Sequence, residues 1–230
     1  MYSLAVIVPI YNEEKYLSKS LERLLSNDVF SEIFLVDDCS NDESPRIAKE
    51  YVKNYEKINY YKTKTNSGKG RAVIEVIPFI KSSHTVIHDA DLEYFPEDIV
   101  EMYELSKKNI SSLILGSRFI GEKDRKNIYK RTFIANKVMS IFFSLINFYT
   151  VSDVATCYKL LPTSFLQSIT LKENGFSFEI EILSKFLKFN KSVFEVPIKY
   201  EGRSYQEGKK IKSIDGFFYL LNTVRYRLFS

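Results

Sequence analysis

The sequence predicts an α/β fold: a Rossmann-like, mostly parallel sheet with helices on both faces, in a single domain with amphipathic C-terminal elements. Three observations carry this. Short apolar runs alternate with helix-length amphipathic segments through the first half of the chain. The runs are continuously apolar, as in Leu4-Ala5-Val6-Ile7-Val8, which marks strands buried on both faces. The 230 residues are 45% hydrophobic and 27% charged, enough for a sizeable core and unlike a disordered chain.

Residues 4–10 form the first expected strand, ended by a turn at Tyr11-Asn12. Asn12 is placed to cap the next helix, with Glu13 and Glu14 in its first turn and Tyr16, Leu17, Leu21, Leu24 and Leu25 on one stripe. Strands follow at 33–36, 58–62, 85–88 and 113–115, and helices at 45–55, opened by Asp42 or Ser44, and at 69–80 and 99–108. Beyond residue 120 a charged loop (121–130) leads to a long, increasingly apolar helix (131–149), a strand (156–161), a helix (177–189) and a strand (192–200). A polar loop (201–212) precedes residues 214–229, where Ile214, Phe217, Phe218, Leu221, Val224 and Leu228 keep helical spacing. No internal repeat or low-complexity linker divides the chain.

The net charge of +4 is too small and too scattered to point to nucleic acid. Basic residues thicken only towards the C-terminus, through Arg203, Lys209, Lys210, Lys212, Arg225 and Arg227, a patch suited to phosphates or an anionic lipid surface. Cys39 and Cys157 have no metal-type spacing and read as reduced thiols of a cytosolic protein. The first ten residues lack the basic leader of a signal peptide, and no stretch reaches the ~18 to 20 apolar residues that span a bilayer. The expectation is a soluble or peripheral cytoplasmic protein.

Ligands of such sheets bind beyond the carboxyl ends of the strands, so the residues there come under scrutiny. Pro9-Ile10-Tyr11-Asn12-Glu13 presents an aromatic and an acid. Asp37-Asp38-Cys39-Ser40 sets two carboxylates side by side, as a capped turn or as acceptors for ribose or base groups. Asn66-Ser67-Gly68-Lys69-Gly70-Arg71 is a glycine-bearing turn at a helix start that can approach a phosphate; it is not a Walker P-loop, because no hydroxyl residue follows Lys69. His88-Asp89-Ala90-Asp91-Leu92-Glu93 is the most informative. If extended, it puts Asp89, Asp91 and Glu93 on one face, where three carboxylates need a cation. Hard oxygen ligands suit Mg²⁺ or Mn²⁺ bridging to a diphosphate. An acidic surface turn is the alternative. His88 points the other way and reads as structural, and His84 as a surface residue.

Taken in this order, the motifs resemble family 2 glycosyltransferases, and within them the dolichyl- or polyprenyl-phosphate sugar synthases. Gly116-Ser117-Arg118-Phe119, Thr156-Cys157-Tyr158-Lys159, Gly175-Phe176-Ser177-Phe178-Glu179-Ile180-Glu181, Val196-Pro197-Ile198-Lys199-Tyr200 and Glu207-Gly208-Lys209-Lys210-Ile211 extend the likeness over the whole chain. The resemblance implies a GT-A fold, a UDP- or GDP-sugar donor held in residues 1–120, Mg²⁺ or Mn²⁺, an acceptor bound by residues 121–230, and inversion at the sugar carbon. By position it implies donor-nucleotide contacts for Pro9, Tyr11, Glu13 and Asp38, and metal–diphosphate contacts for Asp89 and Asp91, with Glu93 beside them. It implies phosphate contacts for Arg118, Arg131 and Arg203, assisted by Lys209 and Lys210. Lys69 joins the donor side. The chain lacks tryptophan, and with it the Gln-x-x-Arg-Trp motif of processive members; Ala155 stands where relatives carry Glu.

The acceptor remains open at this stage. A polyprenyl or dolichyl phosphate is already anionic and needs arginines rather than a base. A saccharide hydroxyl needs a carboxylate base, for which Asp153, Glu179 and Glu181 are candidates. The apolar helices at 138–149 and 214–229 either complete the core or rest on the inner face of the cytoplasmic membrane beside a lipid-linked acceptor. A sugar nucleotidyltransferase would carry an N-terminal glycine-rich loop, and residues 8–16 contain no glycine. A non-catalytic nucleotide-binding scaffold on the same fold is the alternative of another class.

Overall fold

The continuous apolar run at the start of the chain becomes β1 (Leu4–Ile10), in which Leu4 to Val8 are completely buried. In the computed structural model, which describes residues 2–127, 129–203 and 213–229 (backbone only at 213–215), α1 (Leu17–Leu25), β2 (Phe30–Asp37), α2 (Ser44–Asn54), β3 (Ile58–Lys62), α3 (Lys69–Val76), β4 (His84–Ile87), α4 (Glu97–Lys108) and β5 (Leu113–Ser117) follow. The second half adds β6 (Arg125–Lys126), α5 (Lys130–Asn147), β7 (Lys159–Pro162), α6 (Thr163–Ser168), α7 (Phe178–Phe189), β8 (Val193–Pro197), β9 (Tyr200–Glu201) and α8 (Ser213–Leu228).

Seven strands form one sheet in the order β3-β2-β1-β4-β7-β5-β8, parallel except for β7, which runs antiparallel to both β4 and β5. β6, inside the charged loop expected at 121–130, makes a separate parallel pair with β9, and the strand expected over 192–200 is split into β8 and β9. α1 buries Leu17, Leu21 and Leu24 and α3 buries Ala72, Val73 and Val76, the stripes expected of helices laid on a sheet. α7 buries Ile180, Ile182, Leu183, Phe186 and Leu187 together with the polar Glu179, Glu181 and Ser184, leaves Phe189 exposed, and has α8 packed across it.

Several expected boundaries move for identifiable reasons. Asn12 does not cap α1: it takes a positive φ of 50°, its side-chain oxygen accepts the Asn41 N–H, and the helix starts only after Tyr16. The helix expected over 69–80 stops at Val76, and Ile77–Phe79 continues as a 3₁₀ turn around Pro78, whose ring has no N–H to donate. The strand expected from residue 156 begins at Lys159. His84, expected at the surface, is buried, stacked on the Tyr2 ring at 4.3 Å and bonded through Nε2 to the Ile110 carbonyl at 2.8 Å.

α5 is one-sided. Phe143 is fully buried, whereas Ile134, Val138, Ile141, Leu145 and Phe148 lie exposed along the opposite face. Among the described residues no helix is long and apolar enough to cross a membrane. Phe143→Ala should cost about 3–5 kcal/mol and lower Tm by roughly 6–20 °C. Ile141→Ala should stay within about 0.5 kcal/mol of the unmodified chain; thermal denaturation of both variants checks this.

Candidate active site

The position of the site follows from the strand order. β2 lies on one side of β1 and β4 on the other, so the chain leaves β1 and β4 in diverging directions and opens a crevice at their carboxyl ends. A cavity of about 790 Å³ occupies that crevice. Pro9, Tyr11 and Glu13 line it from the end of β1, Asp38 from β2, Lys69 from α3, Asp89, Asp91 and Glu93 from beyond β4, and Arg118 from β5. α5 contributes Arg131, Thr132, Asn136 and Met139, and α8 contributes Gly216 and Tyr219. The strand-end residues singled out in the sequence thus converge on one cavity; Lys209 and Lys210 lie outside the described residues.

The acidic segment is not extended. Strand β4 ends at Ile87, and the chain turns through Leu92 at a φ of 64°, so the three carboxylates do not stand on one face of a strand. Asp89 meets the Lys69 ammonium at 2.8 Å and Asp91 meets the Arg203 guanidinium at 3.1 Å. Glu93 accepts the Tyr200 hydroxyl at 2.6 Å and the Arg203 backbone N–H at 2.7 Å. Its carboxylate thus ties this turn to the β9 segment, while Asp89 and Asp91 pair with cationic side chains at the cavity.

Two cations balance this pair. Lys69 is nearly enclosed and also bonds Glu179 at 2.9 Å; burial disfavours its ammonium, but Asp89 and Glu179 hold its pKa well above the ordinary lysine value. Arg203 reaches Glu13 at 3.1 Å as well as Asp91 and lies over the Tyr16 ring. Its Nε is buried with no hydrogen-bond partner among the described residues and lies 4.0 Å from the Glu93 carboxylate. Burial, with Glu93 and Asp89 nearby, pushes the Asp91 carboxyl up to about 8, although Arg203 pulls the other way.

The remaining candidates divide by their partners. Asp38 accepts the Thr63 hydroxyl and the Ser67 and Gly68 N–H groups at 2.7–3.2 Å, so it shapes the wall of the donor side through the 63–68 loop. Gly68 needs its φ of 97°, and a Cβ there would sit 2.6 Å from the Asn174 carbonyl oxygen. Arg118 is gripped by Asp153 through Nε and Nη2 at 2.7 and 2.8 Å, and Asp153 is wholly buried. Glu181 is equally enclosed, bonded to the Lys172 and Glu173 N–H groups and to Lys185. Of the three carboxylates considered as bases only Glu179 reaches the cavity, and it is held by Lys69. Arg131 stands exposed on the far wall. His88 is structural as expected: it bonds the Tyr158 hydroxyl at 2.9 Å, and burial lowers its pKa to about 4. Tyr200, which donates to Glu93, and Lys159, 3.7 Å from Glu179, join the site without a sequence expectation for them; a charge in an otherwise apolar strand is the signal for Lys159.

The pattern of the Glycosyl transferase family 2 matches residues 5–170. The chain belongs to that family. It is 30% identical to a dolichol-phosphate mannosyltransferase of Pyrococcus furiosus over 90% of its length, and spans 60% of that relative. It is 28% identical to a dolichyl-phosphate beta-glucosyltransferase of Trichomonas vaginalis, covering 98% of this chain and 77% of the other. In fold it is similar to glucosyl-3-phosphoglycerate synthase of Mycobacterium tuberculosis, solved with Mn²⁺, UDP and glucosyl-3-phosphoglycerate, at a TM-score of 0.73 and 13% identity over 98% of this chain and 80% of that one. The GT-A fold and the glycosyltransferase class expected from the motifs therefore hold.

The residues of this family member fit a divalent cation. Among the described residues no group of three or more His, Cys, Asp and Glu side chains is arranged to hold one. Mg²⁺, however, is commonly held by one or two carboxylates plus substrate phosphates and water, and Asp89 and Asp91 provide such a pair. The raised Asp91 pKa gives this a pH signature. A carboxyl protonated in the folded chain but ionised in the unfolded one makes the free protein lose stability as pH rises from its ordinary 3.8 towards about 8. A cation competes with that proton, so stabilisation by Mn²⁺ with a nucleoside diphosphate should grow between about pH 6 and about pH 8. Thermal shift across that range should show the increase, and Asp91→Asn should flatten it.

Proposed function

We propose that this chain transfers a hexose, with inversion, from a UDP- or GDP-sugar to a polyprenyl or dolichyl phosphate at the inner face of the cytoplasmic membrane. The observation that carries the acceptor assignment is the absence of an uncommitted base among the three candidates. Asp153 and Glu181 are buried in structural hydrogen bonds, and Glu179 is tied to Lys69. A hydroxyl acceptor would need one of them to take a proton, whereas a phosphate monoester, with a second pKa of about 6, attacks as it stands.

In this reading the acceptor phosphate oxygen attacks the sugar carbon opposite the bond to the diphosphate, the C–O bond to the donor breaks, and the nucleoside diphosphate leaves with that electron pair. Asp89 and Asp91 would hold Mg²⁺ or Mn²⁺, which would supply charge neutralisation for the leaving diphosphate. Lys69 and Arg203 add positive charge from the protein side. Arg131 stands on the α5 wall where an incoming phosphate would meet it. Pro9, Tyr11 and Glu13 form the nucleotide end, with Asp38 acting through the loop it organises.

The two helices that wall the acceptor side also carry the exposed apolar surface: Ile134, Val138 and Leu145 on α5, and Phe217, Phe218 and Leu221 on α8. Such a face beside the cavity mouth suits a peripheral contact with the bilayer from which a polyprenyl chain would reach Arg131. The names of the Pyrococcus and Trichomonas relatives support the same acceptor class.

Incubation with Mn²⁺, UDP- or GDP-sugars and a short polyprenyl phosphate should release the nucleoside diphosphate only when the lipid phosphate is present. Asp91→Ala should lower that rate by about 100-fold or more. Transfer solely to free saccharides would reassign the acceptor to a hydroxyl, and unaltered turnover by Asp91→Ala would remove the metal site from the mechanism.

A further inference from the structure

Lys159 touches neither the donor nor the acceptor in the reaction proposed above, yet its side chain is completely buried at the start of β7. A lysine ammonium is held away from water only where other groups compensate it. Here Nζ donates to the backbone carbonyls of Val154, at 3.2 Å, and Thr156, and lies 3.7 Å from Glu179 Oε2. The other Glu179 oxygen accepts from Lys69 at 2.9 Å, and Lys69 continues to Asp89 at 2.8 Å. Charges thus alternate from the cavity floor into the core: Asp89, Lys69, Glu179, Lys159. The Tyr219 hydroxyl of α8 approaches Glu179 Oε2 at 3.4 Å.

The arithmetic of this row gives Lys159 a function. With it, two carboxylates face two ammoniums. Without it, Asp89 and Glu179 compete for Lys69 alone, in surroundings where charge is poorly screened. Lys69 would then be drawn towards the more enclosed Glu179 and away from the Asp89 end of the cavity. The same ammonium also fixes the carbonyls of the 154–156 turn, which carries the cavity-lining Ala155.

We infer that Lys159 is a positioning residue for the donor site: by sharing Glu179 it keeps Lys69 poised at Asp89, where the diphosphate of the donor binds. The inference rests on the donor reading above, but it is tested by binding rather than turnover. UDP and GDP are titrated with Mn²⁺ into the unmodified chain, Lys159→Met, Glu179→Gln and the double variant, each first checked for a cooperative thermal transition. Lys159→Met should weaken nucleoside diphosphate binding by about ten-fold, within the range of coupling between contacting charges. In the Glu179→Gln background, where no carboxylate remains to be shared, the same change should alter affinity by less than about two-fold.

Equal losses in both backgrounds, or unaltered affinity in folded Lys159→Met, would overturn the inference and leave Lys159 a purely structural cation. Should Lys159→Met alone fail to fold, the double variant, in which no buried charge is orphaned, is compared with Glu179→Gln. A further loss of about ten-fold there contradicts the inference and affinities within about two-fold support it. Failure of the unmodified chain to bind either nucleotide is a separate result, which overturns the donor reading itself.

Discussion

Carboxylates gathered at one edge of a parallel sheet must find positive charge close by, and this requirement shapes the site. Glu13, Asp38, Asp89, Asp91, Glu93 and Glu179 all line a single partly enclosed cavity. Bringing them together is costly unless each is hydrogen-bonded or paired. Asp38 is satisfied by backbone N–H groups, Glu93 by Tyr200 and the Arg203 backbone, and Glu179 by Lys69 with Lys159 behind it. Asp89 and Asp91 depend on Lys69 and Arg203, each of which is shared with a second acid. That sharing leaves the pair nearest the cavity as the place where added positive charge brings most benefit, and a divalent cation carrying a diphosphate fits it.

The second half of the chain exists in this arrangement to supply cations and walls that the strand ends lack. Arg203 arrives from beyond β9, Glu179 from the first turn of α7, and Tyr219 from α8. α8 is tied to the body by polar anchors as well as packing. Glu173 accepts from Asn222, Arg225 and Tyr226, while the Tyr219 hydroxyl donates to the Phe176 carbonyl. With its inner side secured in this way, its exposed phenylalanines are not needed to hold the helix in place. The same holds for α5, whose buried Phe143 faces inward while Ile134, Val138 and Leu145 face out.

Much of this was legible in the sequence, because the legible parts are local. Continuous apolar runs locate the strands, a helical stripe locates α1 and helical spacing locates α8, and the order of acidic and glycine-bearing motifs along the chain identifies the family. The pairing of the acids was not legible. Whether Asp91 meets Arg203 or a metal depends on a residue 112 positions away, and no periodicity reports such a distance. The extended reading of residues 89–93 failed for a local reason, the positive φ of Leu92, which a leucine seldom adopts and which the Glu93–Tyr200 lock helps to hold. His84 was misplaced because a polar residue at a strand start reads as exposed until Tyr2 and the Ile110 carbonyl are seen to enclose it.

The division of labour among the three acids of the β4 turn is the most direct point of attack. Mn²⁺ binding in the presence of a nucleoside diphosphate, followed by loss of the free-ion electron paramagnetic resonance signal, separates them. Asp89→Asn and Asp91→Asn are expected to abolish binding, and Glu93→Gln, which keeps a hydrogen-bonding side chain beside Tyr200, is expected to retain it. Loss of binding in Glu93→Gln together with retention in Asp91→Asn would contradict the assignment of the cation to the Asp89–Asp91 pair.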